Sequence, residues 1–228
     1  MKKLIVAVMV MIILVVSMIL KKPKKQYGVA FHPTIPIINF VEMYKPSELF
    51  EKSSSINQDF YGVIRIEGVI EEAVVLSKDN EEYLHIDIHG HPDIMGTVFM
   101  DYRVEYGDQN VILYGHTYPG KKDMVFSNLN DYKDYAFYQM HPTFTFETKQ
   151  GIDTYDIFSV YVWDPSVYPY FFDVSFHSET FKEHIEHMKK SSMYPIELEV
   201  NEESQLLTLV TCNSDNIDQR VILVGVKR

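Results

Sequence analysis

Leu206-Leu207-Thr208-Leu209-Val210-Thr211-Cys212 is apolar or β-branched along its whole length, and Arg220-Val221-Ile222-Leu223-Val224-Gly225-Val226 repeats the pattern eight residues on. Each run reads as a buried strand. The seven mostly polar residues between them, 213–219, are short enough to turn the chain back on itself. If the two strands pair as neighbours, Arg220 returns to the sheet end at which Cys212 stands.

Working outward, a third apolar strand, Asn110-Val111-Ile112-Leu113-Tyr114, ends in Gly115-His116, where the glycine is expected to permit a sharp turn. Further strand-like runs are Val63-Ile64-Arg65-Ile66, Val69-Ile70, Ala73-Val74-Val75-Leu76 and Gly96-Thr97-Val98-Phe99-Met100, followed by 143–147 and 155–162. Turn formers such as Lys78-Asp79-Asn80 and Gly107-Asp108 separate several of them. Many short strands at this spacing predict a barrel or a sandwich, mostly β. Residues 178–190 place Phe181, Ile185 and Met188 at helical spacing and predict one amphipathic helix before the cysteine strand. Pro46-Ser47-Glu48-Leu49-Phe50-Glu51 reads as the start of a shorter helix, with acidic residues in its first turn.

Residues 4–20 are apolar except for Ser17, with Lys2 and Lys3 before them and Lys21, Lys22, Lys24 and Lys25 after. As a helix this run would extend about 25 Å, the short end of a membrane span. A retained anchor is preferred to a cleaved signal, because Gly28-Val29-Ala30, the one small-residue cleavage candidate, lies beyond the lysine collar. Counting flanking lysines would put the body in the cytoplasm. Its acidity and the chemistry of Cys212 argue for the outside. Beyond those six lysines remain 15 basic and 32 acidic residues, a net charge of about −17 that repels phosphate backbones and excludes nucleic acid as a partner.

Cys212 is the sole cysteine, so it has no intramolecular disulfide partner. It is either a small buried hydrophobe or a nucleophile. An adjacent guanidinium favours thiolate and can hold an oxyanion; the plain alternative for Arg220 is a salt bridge to Asp215 or Asp218. An imidazole at His116 could protonate a leaving amine and then accept a proton from an incoming one, or it could serve a structural hydrogen bond. His89-Gly90-His91 lacks partners at metal-site spacing and reads as a solvated loop, so no metal and no cofactor are expected.

The motifs carry a resemblance. Thr208-Leu209-Val210-Thr211-Cys212 resembles the TLxTC signature of sortases, Tyr114-Gly115-His116 their YGH strand end, and Arg220 opens the strand after the cysteine as it does in that family. Residues 74–84, Gly96-Thr97-Val98-Phe99-Met100-Asp101-Tyr102-Arg103 and Met124-Val125-Phe126-Ser127-Asn128-Leu129 are similar to class B members, from about residue 55 to the C-terminus. The resemblance implies an eight-stranded closed barrel with an N-terminal helix and one long helix before the cysteine strand. It also implies a membrane anchor over 1–25 and an extracellular catalytic domain over 55–228; residues 26–54 between them read, from their own sequence, as a stalk and the short N-terminal helix.

By the same resemblance Cys212 would attack the threonine carbonyl of a sorting motif on a surface protein, and an amine of a peptidoglycan precursor or crossbridge would resolve the thioester. His116 would serve as acid and then base, Arg220 as oxyanion holder helped by Thr211, and Asn80 and Leu84 would line the substrate groove. Two departures stand out. The loop from Cys212 to Arg220 is short, and Thr117-Tyr118-Pro119-Gly120 follows the histidine where Asn-Met is more usual; both bear on motif preference and neither removes a catalytic group. A cysteine protease using water as acceptor would need the same three residues, and a surface-anchored, acidic, tyrosine-rich binding module would need none of them.

Overall fold

In the computed structural model, the described residues are 44–228 except 106, 119, 122–123, 168–172 and 177. The expected anchor and most of the stalk lie outside them. Among the described residues no helix is long and apolar enough to cross a membrane.

The ladder closes completely. Eight strands are arranged as β1 (Phe60–Ile66), β2 (Ile70–Leu76), β3 (Val98–Met100), β4 (Asn110–Tyr114), β7 (Leu206–Cys212), β8 (Arg220–Lys227), β6 (Gly151–Trp163) and β5 (Thr143–Thr148), and β5 pairs back onto β1. Closure leaves no strand with an open edge, which selects the barrel over the sandwich. Ile70 and the apolar run at 73–76 belong to one strand, β2, while Val69 closes the turn before it. The expected strand over 96–100 shortens to β3, because Gly96 sits at φ +61 outside the ladder.

Alternation along the central strands builds two cores. Leu207, Leu209, Val221, Leu223, Leu113, Val98 and Met100 face the barrel interior. Leu206, Val210, Ile222, Val224 and Ile112 face outward, beneath α3 (Ser178–Ser191), whose Phe181, Ile185 and Met188 are buried at helical spacing as expected. A bulge between Ile157 and Ser159 shifts the phase of β6, so that Val160 points inward while Tyr161 and Trp163 point outward. Ser159 Oγ donates to the carbonyl of Met188 at 2.6 Å, which fixes the C-terminal turns of α3 at that bulge.

α1 (Glu48–Ile56) begins at Ser47, whose Oγ accepts from Phe50 N at 3.2 Å, a side-chain N-cap. Its Phe50 packs edge-on against Phe60, with Val63 and Ala73 beneath. The segment after β4 was not anticipated as regular structure. It forms a 3₁₀ turn at Ser127–Lys133 and the short α2 (Tyr135–Met140), and Phe126, Leu129 and Tyr132 plug the barrel interior.

Candidate active site

Parity places the chemistry. Cys212 is two residues beyond Val210 and Arg220 two before Ile222, so both side chains stand on the outward face, and the two residues are opposite each other in the β7–β8 register. Asn213 N donates to Gln219 O at 3.0 Å, which makes the 213–219 pair the hydrogen-bonded one. Cys212 and Arg220 therefore form the closer, non-hydrogen-bonded kind of pair, with Cα atoms about 4.5 Å apart. Trp163, outward because of the β6 bulge, is opposite Arg220 on its other side.

His116 arrives from the neighbouring strand, since β4 runs parallel to β7 with Tyr114 beside Val210. A single groove of about 560 Å³ is lined by Asn80, Leu84, His116, Thr211, Cys212 and Arg220, and floored by Phe99, Tyr114 and Val210, with Trp163 on its wall. All six residues singled out in the sequence thus meet in one cavity. Cys212 is partly exposed, as a thiol that is to react must be.

The ring of His116 is held from outside the ladder. Its Nε2 lies 2.9 Å from the carbonyl oxygen of Leu84. A carbonyl can only accept, so Nε2 carries the hydrogen and Nδ1 is the nitrogen left to exchange protons. Leu84 ends a 3₁₀ turn, Glu82–Leu84, that Thr97 N anchors through Tyr83 O at 3.0 Å. Gly96 is required beside it: a Cβ there would lie 2.3 Å from Tyr83 O and 2.8 Å from Leu84 O. Asn80 accepts from Tyr102 N through Oδ1 at 3.0 Å, which fixes the loop forming the upper wall.

Below the groove, Tyr114 donates its hydroxyl to Asp101 Oδ2 at 2.9 Å, and Arg103 donates to both oxygens of the same fully buried carboxylate. Burial opposes ionisation of Asp101, but the Arg103 and Tyr114 bonds outweigh it and hold the carboxyl below its usual range. Burial, with Asp101 adjacent, pushes the Tyr114 phenol up, so this floor residue stays a neutral donor.

Arg220 is not paired with Asp215, which Lys133 takes at 2.7 Å. Its Nη1 donates to Ile217 O and Gln219 O, both at 2.9 Å. Two of five guanidinium hydrogens are thereby used to fix the fork against its own loop. The short 213–219 loop is cross-braced: Asn213 Nδ2 donates to Gln219 Oε1 at 3.0 Å, and Gln219 Nε2 to Asp164 at 3.1 Å.

Thr211 is 2 % exposed and inward by parity, and its hydroxyl lies 2.7 Å from both Gly115 O and Thr117 Oγ1. Those contacts tie the cysteine strand to the histidine strand and give Thr211 a positioning role. Gly115 has no positive φ; the sharp turn expected there is not its reason. A Cβ at 115 would stand 2.7 Å from the ring of the fully buried Phe126. His89 and His91 stack at 6.0 Å in an exposed loop whose backbone N–H groups Asp87 caps. Thr117, Asn130 and Trp163 escaped the sequence reading; Thr117 drew notice only as a departure from a motif, and no pattern marks Asn130.

A closed barrel that brings a thiol and a guanidinium into register and an imidazole from a parallel neighbour, all over one groove, defines a cysteine-centred class of site. The chain belongs to the sortase family, in its class B branch: the Sortase domain model matches residues 64–228. Sortase B of Listeria monocytogenes is 30% identical over 164 residues, covering 70% of this chain and 65% of that protein's own length. The structure of Clostridium perfringens sortase B superposes with a TM-score of 0.73 at 25% identity, covering 78% of this chain and 98% of that one. A Staphylococcus aureus sortase B–substrate complex gives 0.72 at 27% identity, covering 84% and 88%.

Proposed function

We propose that the chain is a transpeptidase that cleaves a threonine-containing sorting motif and transfers the surface protein bearing it to a cell-wall amine. The observation that carries the reading is the register of Cys212 against Arg220, with His116 over the same groove. The Cys212 thiol gives its proton to Nδ1 of His116 as its sulfur adds to the threonine carbonyl carbon, and Arg220 takes the developing oxyanion with the hydrogens on Nε and Nη2. Collapse breaks the C–N bond, and the departing amine takes a proton from Nδ1 of His116, leaving a thioester on Cys212. The acceptor amine of a peptidoglycan precursor or crossbridge then gives its proton to Nδ1 as its nitrogen attacks, and the C–S bond breaks.

Asn80 and Leu84 form the wall along which the sorting motif would lie. A substrate complex is known for the Staphylococcus aureus relative, which supports the reading that this chain acts on a bound substrate. The apolar run at 4–20 fits a single-pass anchor that holds residues 55–228 outside the membrane, where sorting motif and cell-wall amine meet.

The test is product analysis. A peptide with a threonine sorting motif is incubated with the chain, with and without an amine acceptor. A trapped acyl adduct on Cys212 and an amide product that grows with amine concentration are expected. Full turnover with water alone would make the chain a cysteine protease, and an unreactive Cys212 together with an unaffected Cys212→Ala variant would make it a binding module.

A further inference from the structure

We propose that Asn130 is a positioning residue that locks Cys212 and the His116 segment into their working register, an inference that rests on the reading of Cys212 and His116 above. Its carboxamide is nine-tenths buried and reaches three separate stretches of chain. Nδ2 donates to Thr117 Oγ1 at 3.0 Å and to the carbonyl oxygen of Cys212 at 3.1 Å, while Oδ1 accepts from Ser214 N at 2.8 Å. One side chain therefore holds the residue after the histidine, the cysteine's own peptide group and the first turn of the loop leading to Arg220. Asn130 is itself immobilised, because Leu129 and Tyr132 on the same 3₁₀ turn are fully buried in the barrel interior.

The hydrogens show why an amide is needed. Thr117 Oγ1 lies 2.9 Å from Cys212 O and 2.7 Å from Thr211 Oγ1, and Thr211 Oγ1 lies 2.7 Å from Gly115 O. Two hydroxyl hydrogens must serve three contacts, and neither carbonyl can donate. If each threonine bonded its nearest carbonyl, the two hydroxyl oxygens would face each other with no hydrogen between them. Asn130 removes the conflict. Its second N–H satisfies Cys212 O, which frees Thr117 to donate to Thr211 and Thr211 to donate to Gly115 O. The result is an unbroken run of bonds from the nucleophile's backbone to the residue before His116. Thr117 belongs to this knot, so the departure from the usual Asn-Met after the histidine is matched by a partner at 130.

Two variants test the assignment. Asn130→Asp keeps the shape and the acceptor for Ser214 N but loses both donors and adds charge; Asn130→Ala removes donors and acceptor together and adds no charge. The rate at which iodoacetamide alkylates Cys212 at pH 7 reads the thiol without any sorting peptide. Both variants are expected to alkylate at least five-fold more slowly, with melting temperatures within a few degrees of the parent. In peptide transfer, kcat should fall at least ten-fold while KM stays within two-fold, since the groove walls are untouched. Unchanged alkylation in Asn130→Ala, or slowing confined to the charged variant, would overturn the positioning role. Absence of any acyl adduct in the parent would instead overturn the transpeptidase reading, and the alkylation comparison would still decide the case of Asn130.

Discussion

His116 and Leu84 are joined by a 2.9 Å hydrogen bond from imidazole Nε2 to a main-chain carbonyl. A backbone acceptor cannot be removed by ordinary substitution, so the ring orientation is set by the fold of the Glu82–Leu84 turn. The neutral ring is expected as the Nε2–H tautomer, with Nδ1 unprotonated. Nitrogen-15 shifts of His116 measured through its titration check this; an Nδ1–H tautomer would remove the proton route proposed for the leaving amine. His116→Ala should lower transfer by roughly 10²–10⁴-fold while leaving the melting temperature near the parent's.

Arg220→Lys is expected to lose transfer about 10²–10³-fold. An ammonium has three hydrogens on one atom, so it cannot hold Ile217 O and Gln219 O through one nitrogen while presenting a second nitrogen to an oxyanion. Because positive charge stays beside the thiol, alkylation of Cys212 should change much less than transfer. Equal losses in both assays would mean that Arg220 acts on the thiol and not on the oxyanion.

The contrast between Arg220 and Asn130 marks what a sequence can disclose here. Arg220 announced itself because it opens a β-branched run at a countable distance from Cys212, and an antiparallel return fixes where such a residue lands. The covered face of the long helix was legible from the 3.6-residue spacing of Phe181, Ile185 and Met188, but the continuously apolar strands do not disclose which side faces the barrel interior and which the helix. Asn130 sits in a 3₁₀ turn without periodicity, and its partners at 117, 212 and 214 are set by tertiary packing. The bulge that turns Trp163 toward Arg220 was equally hidden, since a one-residue phase shift leaves an apolar strand looking much the same. Gly115 was noticed as a glycine, but its cause, the ring of Phe126, comes from a segment that no pattern had placed.

Gly115→Ala tests that cause. The added methyl would meet Phe126 Cδ2 and Cγ at 2.7 Å and Val125 Cγ1 at 3.0 Å, and Phe126 is fully buried with no room to swing aside. Overpacking of this kind costs about 1–3 kcal/mol. The expected result is a lower melting temperature together with a loss of transfer larger than stability explains, because the displaced segment carries His116. A variant with full activity and unchanged melting would show that the 125–126 segment yields easily.

Glu72 supplies the pH dependence. It lies on the strand face shared with Ile70 and Val74, toward the barrel interior, and its Oε1 accepts from Val125 N at 3.1 Å, where Val125 holds φ +50. Burial pushes the Glu72 carboxyl up to about 7; the Val125 N–H opposes the rise and Glu71 adds to it. The folded value lies above the unfolded one, so this group's contribution to stability is complete below about pH 4.5 and is lost as pH rises through about 7. Ionised above that point, the carboxylate costs on the order of 2–3 kcal/mol. Glu72→Gln keeps an oxygen for Val125 N and cannot ionise. Urea unfolding should find the variant equal to the parent at pH 4.5 and more stable by roughly 2 kcal/mol at pH 8. If the two unfold alike at pH 8, the carboxyl in the folded chain ionises as freely as it does in the unfolded one, and the strand that faces Val125 has no part in setting the pH profile.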